Sequence, residues 1–471
     1  MSPHGAILPS RLLTAPVVRW LKRSAIAAAI IVITIQWVNT RVSILRINQN
    51  PAHPIVLSTY TVYHSMATGM REGRIGQVDL AALRRYSLLQ DLSASYERLP
   101  RDAPHEWVNY YSLDIGYSFI VEAARLAFPT LPDNYLRALA LQIVTDAALV
   151  FFVCFIFSHW NLWLGLLAAY LYSSNGPFYD LMSFAYYYYW DIPLTFVVLG
   201  SLILAFRRPT EGTLWLTAAG LALGFGVWLR GSWWPLSLFL LAVAASSPVL
   251  RKRLLIPVVA FAILAAPQVL RSSLARGHLT FTTRTVWHVA LVGLGYYPNP
   301  YGLALKDGDP IVFKLTKDKY GVEFRTEDYY EHDQASKKEF LSIWATDRDF
   351  IIRSFLGRLK TSLVGNTESS VLSFLFFSNL TYRLACLAGF AAMMLRGGER
   401  RLLACAAAGS YTIYVVLTCV FFYVGLAYSN VSEVTLFMLF IGGIETVVYA
   451  AQRALGTILG DDSRRVVTMS A

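Results

Sequence analysis

Long apolar runs recur along the whole chain, and they constrain its fold more than any other feature. A run of this kind crosses a bilayer as a helix, because lipid offers no partners to exposed backbone polar groups. Only 15% of the residues are charged and the mean hydropathy is +0.46, whereas soluble domains average about a quarter charged residues. The runs lie near 24–38, 138–157, 161–175, 192–206, 213–229, 233–249, 254–270, 372–395, 402–425 and 432–450. The sequence therefore predicts an all-α polytopic membrane protein with about ten transmembrane helices.

Basic residues mark one side of these predicted helices. The N-terminal tail is basic, and further clusters stand at 207–208, 251–253 and 396–401. By the positive-inside rule these clusters are cytoplasmic, which places both termini in the cytoplasm. The net charge of +11 then reports topology and predicts no nucleic-acid partner. The first run lacks a convincing cleavage site after it, so we interpret it as a retained helix of a multi-pass protein in the cytoplasmic (inner) membrane.

Two long polar segments interrupt the apolar runs. Residues 46–135 (the first loop) and 271–370 (the second loop) are too charged to lie in lipid, and the topology places both on the extracytoplasmic face. The predicted parts are a cytoplasmic tail at 1–23, a transmembrane core at 24–270 that includes the first loop, the second loop at 271–370, C-terminal transmembrane helices at 371–452 and a cytoplasmic tail at 453–471.

Helical spacing of apolar residues predicts two helices inside these loops. Ile115–Phe128 reads as an interfacial helix lying along the membrane, with Glu122 and Arg125 on its polar face. Asp328–Trp344 reads as a surface helix of the second loop. Asp146 falls within an apolar run, where an acid faces the bundle interior and pairs there.

The stretch 177–206 places two carboxylates, Asp180 and Asp191, around four consecutive tyrosines that end at Tyr189. Tyrosine favours the membrane–water boundary, so the stretch predicts an aromatic shelf there, with Asp191 at the mouth of a transmembrane helix. Two interpretations of Asp191 stay open. It caps a helix that begins at Pro193, or it is a functional acid at membrane depth.

Further acids and cations are predicted to lie near the same face. A carboxylate can deprotonate an incoming hydroxyl, and the rigid fork of arginine suits phosphate. The alternatives are a membrane anchor for Arg230, solvated loop charges for the later arginines, and structural hydrogen bonds for the histidines. The acids are Asp79, Asp114, Asp180 and Asp191, and the cations are Arg230, Arg271, Arg276, Arg284, His278 and His288.

This layout resembles the GT-C superfamily of integral-membrane glycosyltransferases, in particular its mannosyltransferase and aminoarabinose-transferase branch. Local likeness lies in Tyr63–Asp79 (a Y-x-x-x-A-x-x-x-x-x-G segment), in the acid Asp191 that opens a helix, in Gly224–Pro235 (GFGVWLRGSWWP) and in Pro267–Gly277 (PQVLRSSLARG). The resemblance implies a polyprenyl-phosphate-linked sugar as donor, a lipid, glycan or protein as acceptor, and inversion at the sugar carbon.

The resemblance also implies roles for individual residues. Asp191 would be the second-loop acid of the family, near the donor phosphate or a divalent cation such as Mg²⁺ or Mn²⁺. Arg230 and Arg271 would contact the phosphate. Arg284, His288, Asp180 and Tyr189 are further candidates for substrate binding.

The sequence departs from the family pattern early in the first loop. The family's catalytic acid precedes the Y-x-x-x-A segment, where this chain reads HPIVLSTYTVY and has no carboxylate. Either Asp114 or Asp79 takes that role, with Asp114 preferred because it precedes the predicted interfacial helix, or the chain has no transferase activity. In the second case it would be a partner subunit or a translocase of lipid-linked sugars.

Overall fold

The computed structural model describes residues 15–48, 54–81, 104–110, 114–281, 286–305, 308–323, 329–364, 379–421 and 430–458. In chain order its elements are α1 (Ala15–Asn48), α2 (Pro54–Arg71), β1 (Gln77–Asp79), β2 (Trp107–Asn109), α3 (Gly116–Ala127), α4 (Tyr135–Ser158), α5 (Leu162–Ser173), α6 (Gly176–Met182), a 3₁₀ helix (Tyr187–Trp190), α7 (Asp191–Arg207), α8 (Gly212–Leu229), α9 (Trp233–Ser246), α10 (Pro248–Arg251), α11 (Leu255–Arg276), α12 (Trp287–Leu294), α13 (Gly308–Tyr320), α14 (Tyr329–Thr346), α15 (Arg348–Val364), α16 (Asn379–Arg396), α17 (Gly398–Phe421) and α18 (Asn430–Ile458).

Each predicted apolar run coincides with a helix in the described part of the chain. By length and composition, six segments are long and apolar enough to cross a membrane: Arg19–Arg46, Tyr135–Ser158, Tyr187–Arg207, Gly212–Leu229, Leu255–Leu274 and Asn430–Ala454. The shorter helices α5 and α9 are also apolar. The membrane class of the fold therefore follows from these six segments, and the count of ten crossings stays a prediction.

Small residues bring the long helices close together. A methyl group on Gly220 of α8 would overlap the carbonyl oxygen of Pro257 in α11. On Gly389 of α16 it would lie 2.6 Å from the carbonyl oxygen of Leu439 in α18. Helices in lipid associate through van der Waals packing, which such small residues permit. These contacts fix the register of α8 against α11 and of α16 against α18.

Two of the predicted basic clusters meet at one end of the bundle. Arg207 at the end of α7 donates to Glu399 at 3.1 Å, and Arg400 donates to Glu399 and to Glu445 of α18 at 2.6 and 2.7 Å. Residues 207 and 396–401 therefore share a side, as the positive-inside argument requires.

The first loop has more structure than the sequence indicates. It contains the helix α2 and a short antiparallel ladder in which Gln77 pairs with Asn109 and Asp79 with Trp107. Apart from this short ladder, the elements of the described residues are helical, so the all-α class holds.

The predicted interfacial helix is present as α3, but its polar face was assigned wrongly. Arg125 is buried, and its guanidinium contacts His64, Thr68 and Asp133 at 2.8 to 3.0 Å. The exposed positions of α3 are Ala123, Leu126 and Ala127, with Leu126 at 74%. Ion pairing within the first loop therefore orients α3.

The second loop forms its own small hydrophobic core from helices α12 to α15. Leu291, Val312, Ile343 and Phe350 are buried there. The predicted surface helix is confirmed as α14. Helix α11 continues past residue 270 to Arg276 and carries Arg271 within it, and the boundary of the second loop stays a prediction.

Candidate functional site

Asp191 is fully buried and pairs directly with Arg230. Its Oδ2 accepts from Nη1 of Arg230 at 2.5 Å, and its Oδ1 accepts from the indole N–H of Trp233 at 2.8 Å. Helix α7 begins at Asp191 itself, its N-cap is Trp190, and no side chain caps it. The capping interpretation is therefore wrong. The two charges meet each other across the ends of α7 and α8.

Aromatic side chains surround the Arg230 guanidinium. Its Nη1 also donates to the hydroxyl of Tyr414 in α17 at 2.7 Å, and its carbon lies 4.4 Å from the centre of the Tyr188 ring. A cation over an aromatic face in a desolvated site gains about 2 kcal/mol. Arg230 is therefore an interior cation held by three elements. The membrane-anchor alternative, which needs a guanidinium that reaches the interface, does not fit this burial.

The tyrosine run lies inside the protein and forms no shelf against lipid. Tyr187, Tyr188 and Tyr189 are buried in the 3₁₀ helix. The Tyr189 hydroxyl donates to the backbone oxygen of Gln142 in α4 at 3.2 Å. The aromatic-shelf prediction is wrong because a 3₁₀ turn and helix packing direct these rings inward. Asp180 lies on α6 and is half-buried.

Asp114 is fully buried where the first loop meets the end of α8. It stands two residues before Gly116, where an added methyl group would lie 2.5 Å from the backbone carbonyl of Trp228. Trp228 is in turn two residues from Arg230, and its ring packs edge-on against Phe119 of α3 at 5.3 Å. The α3 start, and Asp114 with it, therefore lies against the chain segment that carries Arg230.

Arg271 approaches the same region from α11. Its Nη2 lies 3.5 Å from the backbone oxygen of Tyr110. A methyl group on Gly76 would lie 2.5 Å from that same nitrogen. Gly76 has φ +77°, a conformation that favours glycine. The first loop thus wraps the Arg271 guanidinium closely, which differs from the solvated loop charge weighed above.

Asp79 has its carboxylate engaged within the first loop. Oδ1 accepts from the backbone N–H groups of Ala81 and Glu106 at 3.1 and 3.0 Å, and Oδ2 lies 2.7 Å from Nδ1 of His105. These contacts tie the β1–β2 ladder together. The geometry gives Asp79 a structural task.

His288 belongs to a hydrogen-bond chain inside the second loop. Its Nδ1 lies 2.9 Å from Nε2 of His332, whose Nδ1 lies 3.0 Å from the Thr316 hydroxyl. Its Nε2 lies 3.0 Å from Asp309, a side chain that is 69% exposed. This arrangement matches the structural alternative for His288. Arg284 lies outside the described residues.

The prediction that Asp146 pairs within the bundle is confirmed, and its partner is Arg41 of α1. Arg41 Nε donates to Asp146 Oδ2 at 2.8 Å, and the Tyr172 hydroxyl donates to Oδ1 at 2.6 Å. Sequence reasoning missed Arg41. It also missed Glu433, a buried acid at the start of α18, although an acid at the edge of an apolar run is the same signal that Asp146 gives.

The described residues were compared with the ligand sets that divalent cations need. They contain no group of three His, Cys, Asp or Glu side chains that could hold a metal ion. Asp191, the acid that the family resemblance places near a cation, already accepts from Arg230 and Trp233. The side chains at Asp191 therefore do not fit a metal site.

No family model matches the chain, and no curated protein matches it. Among solved structures the chain is similar to the archaeal oligosaccharyltransferase AglB from Archaeoglobus fulgidus in complex with an inhibitory peptide and a dolichol-phosphate. The two share 11% sequence identity with a TM-score of 0.48, and the similarity covers 94% of this chain and 52% of that chain. The chain therefore spans about half the length of the oligosaccharyltransferase that it resembles.

Proposed function

We propose that the chain is an integral-membrane glycosyltransferase. It moves a sugar from a polyprenyl-phosphate donor to a lipid, glycan or protein acceptor on the extracytoplasmic face of the inner membrane, with ten crossings and both termini in the cytoplasm. The observation that carries the proposal is the burial of Asp114 at the junction of the first loop with α8, beside the segment that bears the Asp191–Arg230 pair. A desolvated carboxylate beside a segment that carries a buried cation suits general-base chemistry.

The contacts favour a division of labour among the candidate residues. Asp191 neutralises the charge of Arg230, so we assign this pair a structural role in the site and not the binding of an anion. Arg271 is held against Tyr110 and Gly76 of the first loop, and its guanidinium suits a phosphate, so it is the cation we assign to the donor phosphate. Asp114 is the acid we assign to the acceptor.

The reaction then balances as a single displacement. Asp114 takes the proton of the acceptor hydroxyl, and the acceptor oxygen forms a bond to the anomeric carbon of the sugar. The bond from that carbon to the phosphate oxygen breaks, and polyprenyl phosphate leaves with the electron pair. The Arg271 guanidinium stabilises the negative charge that develops on the phosphate. Inversion at the sugar carbon follows from one displacement.

The test is transfer by the purified full-length protein in proteoliposomes. We expect radiolabel to move from polyprenyl-phosphate mannose, or from another sugar of a matched donor panel, to lipids and glycans extracted from the same membrane. Asp114→Asn should lower that rate by about 10²-fold or more, the usual contribution of a general base. The matched control is Asp318→Asn on the exposed face of α13, which should keep the wild-type rate. Wild-type transfer in the Asp114 variant would overturn the assignment.

A second function, that of a non-catalytic partner subunit or lipid-linked-sugar translocase, is favoured by one observation. Asp79 and Asp191, two of the candidate catalytic acids, accept hydrogen bonds from protein groups. This function predicts that the wild-type protein binds or moves the donor lipid across the bilayer without transferring its sugar. Accessibility of the lipid to an external sugar-oxidising reagent measures that movement.

A further inference from the structure

Helices α16 and α18 run in the same direction with a constant register along their contact. Cys386 Sγ donates to the backbone oxygen of Leu436 at 3.3 Å, a separation of 50 residues. At the Arg400 end of the bundle, Arg396 forms an ion pair with Glu445, 49 residues on. Arg383 and Glu433 share the 50-residue separation, one turn from Cys386 and Leu436. The register therefore sets Arg383 level with Glu433.

These two residues are not joined as Arg396 and Glu445 are. No ion pair links Arg383 to Glu433, although each interacts electrostatically with the other across the helix contact. Glu433 is 6% exposed, and its Oε2 finds no hydrogen-bond partner among the described residues. The same holds for Nη1 of Arg383, also a buried atom. A buried acid at membrane depth is costly unless something pairs with it.

Arg383 and Glu433 lie near the site that holds Arg230. Asn430, one turn before Glu433, donates from Nδ2 to the backbone oxygen of Tyr188 at 2.6 Å, and its Oδ1 is buried without a partner among the described residues. Tyr188 is the ring that covers Arg230. Tyr411 of α17 also lies beside Arg383 and Glu433, one turn from the Tyr414 that binds Arg230.

The opposite charges of Arg383 and Glu433 determine which chemical group can bind to both. An anion would meet the carboxylate, and a cation would meet the guanidinium. Neutral hydroxyl groups satisfy both, since each accepts from Arg383 and donates to Glu433 or to the Asn430 oxygen. We propose that Arg383, Glu433 and Asn430 form a subsite for a neutral, hydroxyl-rich group, the sugar of the lipid-linked donor. This assignment rests on the proposed function.

The test compares two probes on the full-length protein in nanodiscs: polyprenyl-phosphate mannose and the same polyprenyl phosphate without sugar. Wild-type protein should bind the sugar-bearing lipid more tightly. Glu433→Gln and Arg383→Gln should each lower that preference by about tenfold, the effect of losing one hydrogen bond to a charged group. Affinity for the sugar-free lipid should stay within about twofold, because neither residue then has a ligand group to bind.

The control is Glu445→Gln, the same residue type on the same helix, which should change thermal stability and leave the preference intact. An unchanged preference in both variants overturns the subsite. Equal affinity of the wild-type protein for both probes also overturns it. In either case the proposed binding of the donor phosphate is not contradicted. If the wild-type protein binds neither probe, the subsite and the proposed function fail together. Glu433→Gln and Arg383→Gln alter different residues of the subsite, so if one variant misfolds, the other still tests the proposal.

Discussion

The carboxylate of Asp146 accepts two hydrogen bonds from the guanidinium of Arg41, 105 residues earlier in the chain, at 2.8 and 3.3 Å. Trp37 and Tyr172 add donors at 2.6 Å each, and both charged side chains are buried. This pair ties α1 to α4 and α5. Only 11% of the apolar window in the α1 span is buried, so this buried pair is a notable polar link between α1 and the bundle.

Loss of either partner of this pair should destabilise the protein strongly. Asp146→Ala leaves Arg41 as an uncompensated buried charge, which costs about 3–5 kcal/mol. Arg41→Leu has the reverse effect on Asp146. The double variant should regain a large part of the loss, as measured by thermal unfolding in detergent. A double variant that is as unstable as the sum of the two singles would contradict the pairing.

Asp191→Asn should lower stability as well as transfer. The amide presents no charge to Arg230, which then stays buried without its counter-ion, at a cost of about 3–5 kcal/mol. Tyr414→Phe removes one hydrogen bond to the same guanidinium and should cost only about 1–3 kcal/mol. Unfolding midpoints of the two variants, measured beside wild type, give the comparison. Equal stability of Asp191→Asn and wild type would show that the Asp191 charge is not needed to hold Arg230.

Gly76→Ala should weaken donor binding through Arg271. The added methyl group meets the Arg271 guanidinium at 2.5 Å, so that side chain must move away from Tyr110. Gly73→Ala is the matched control, because Gly73 has nearly the same φ, +75° against +77°, with nothing within 4 Å of the added carbon. Arg271→Lys, which loses the bidentate fork, should resemble Gly76→Ala in donor affinity. If the two glycine variants lose donor affinity equally, backbone strain alone explains the effect.

The second loop should lose stability in acid. Burial, and then the neighbouring His288, lower the pKa of His332 to about 4, from an ordinary value of 6.5. The unfolded chain therefore binds the proton more readily between those values, and folding stability falls as the pH drops from 6.5 towards 4. With allowance for solvent screening, the loss is about 2 kcal/mol. The measurement is the unfolding midpoint of the protein from pH 7.5 to 4.5. His332→Gln should make this midpoint depend less on pH. If the midpoint of that variant falls as steeply as that of wild type, another group causes the acid sensitivity.

Sequence patterns predicted the helices well because lipid leaves an apolar run few alternatives. They also placed Asp146 inside the bundle, since an acid in such a run has nowhere else to pair. Asp191 and Arg230 were both identified, but Asp191 as an acid near the donor phosphate or a cation and Arg230 as a contact of that phosphate. Their direct contact depends on how α7 and α8 meet, which no local pattern encodes.

Contacts between distant segments account for the other differences. The tyrosine run has the composition of a membrane-interface belt, yet packing turns Tyr187–Tyr189 inward. Arg125 looked like the polar face of α3 because His64 and Asp133, its partners, come from other elements. Arg383 lies level with Glu433 because residues of α16 pack beside residues of α18 that come 50 positions later. The periodicity within either helix cannot reveal this pairing.

The length of α1 makes its tilt in the membrane depend on bilayer thickness. The 28-residue helical segment Arg19–Arg46, which carries basic residues near both ends, is about 42 Å long, against a hydrocarbon core of about 30 Å. The helix must tilt or extend beyond the core, and the angle changes as the surrounding lipid becomes thinner or thicker. Arg41 also donates to the backbone oxygen of Ser173, at the end of α5 and a short distance along the chain from the tyrosines around Arg230. We therefore expect a change in α1 tilt to act on the interior of the protein through Arg41 and Ser173.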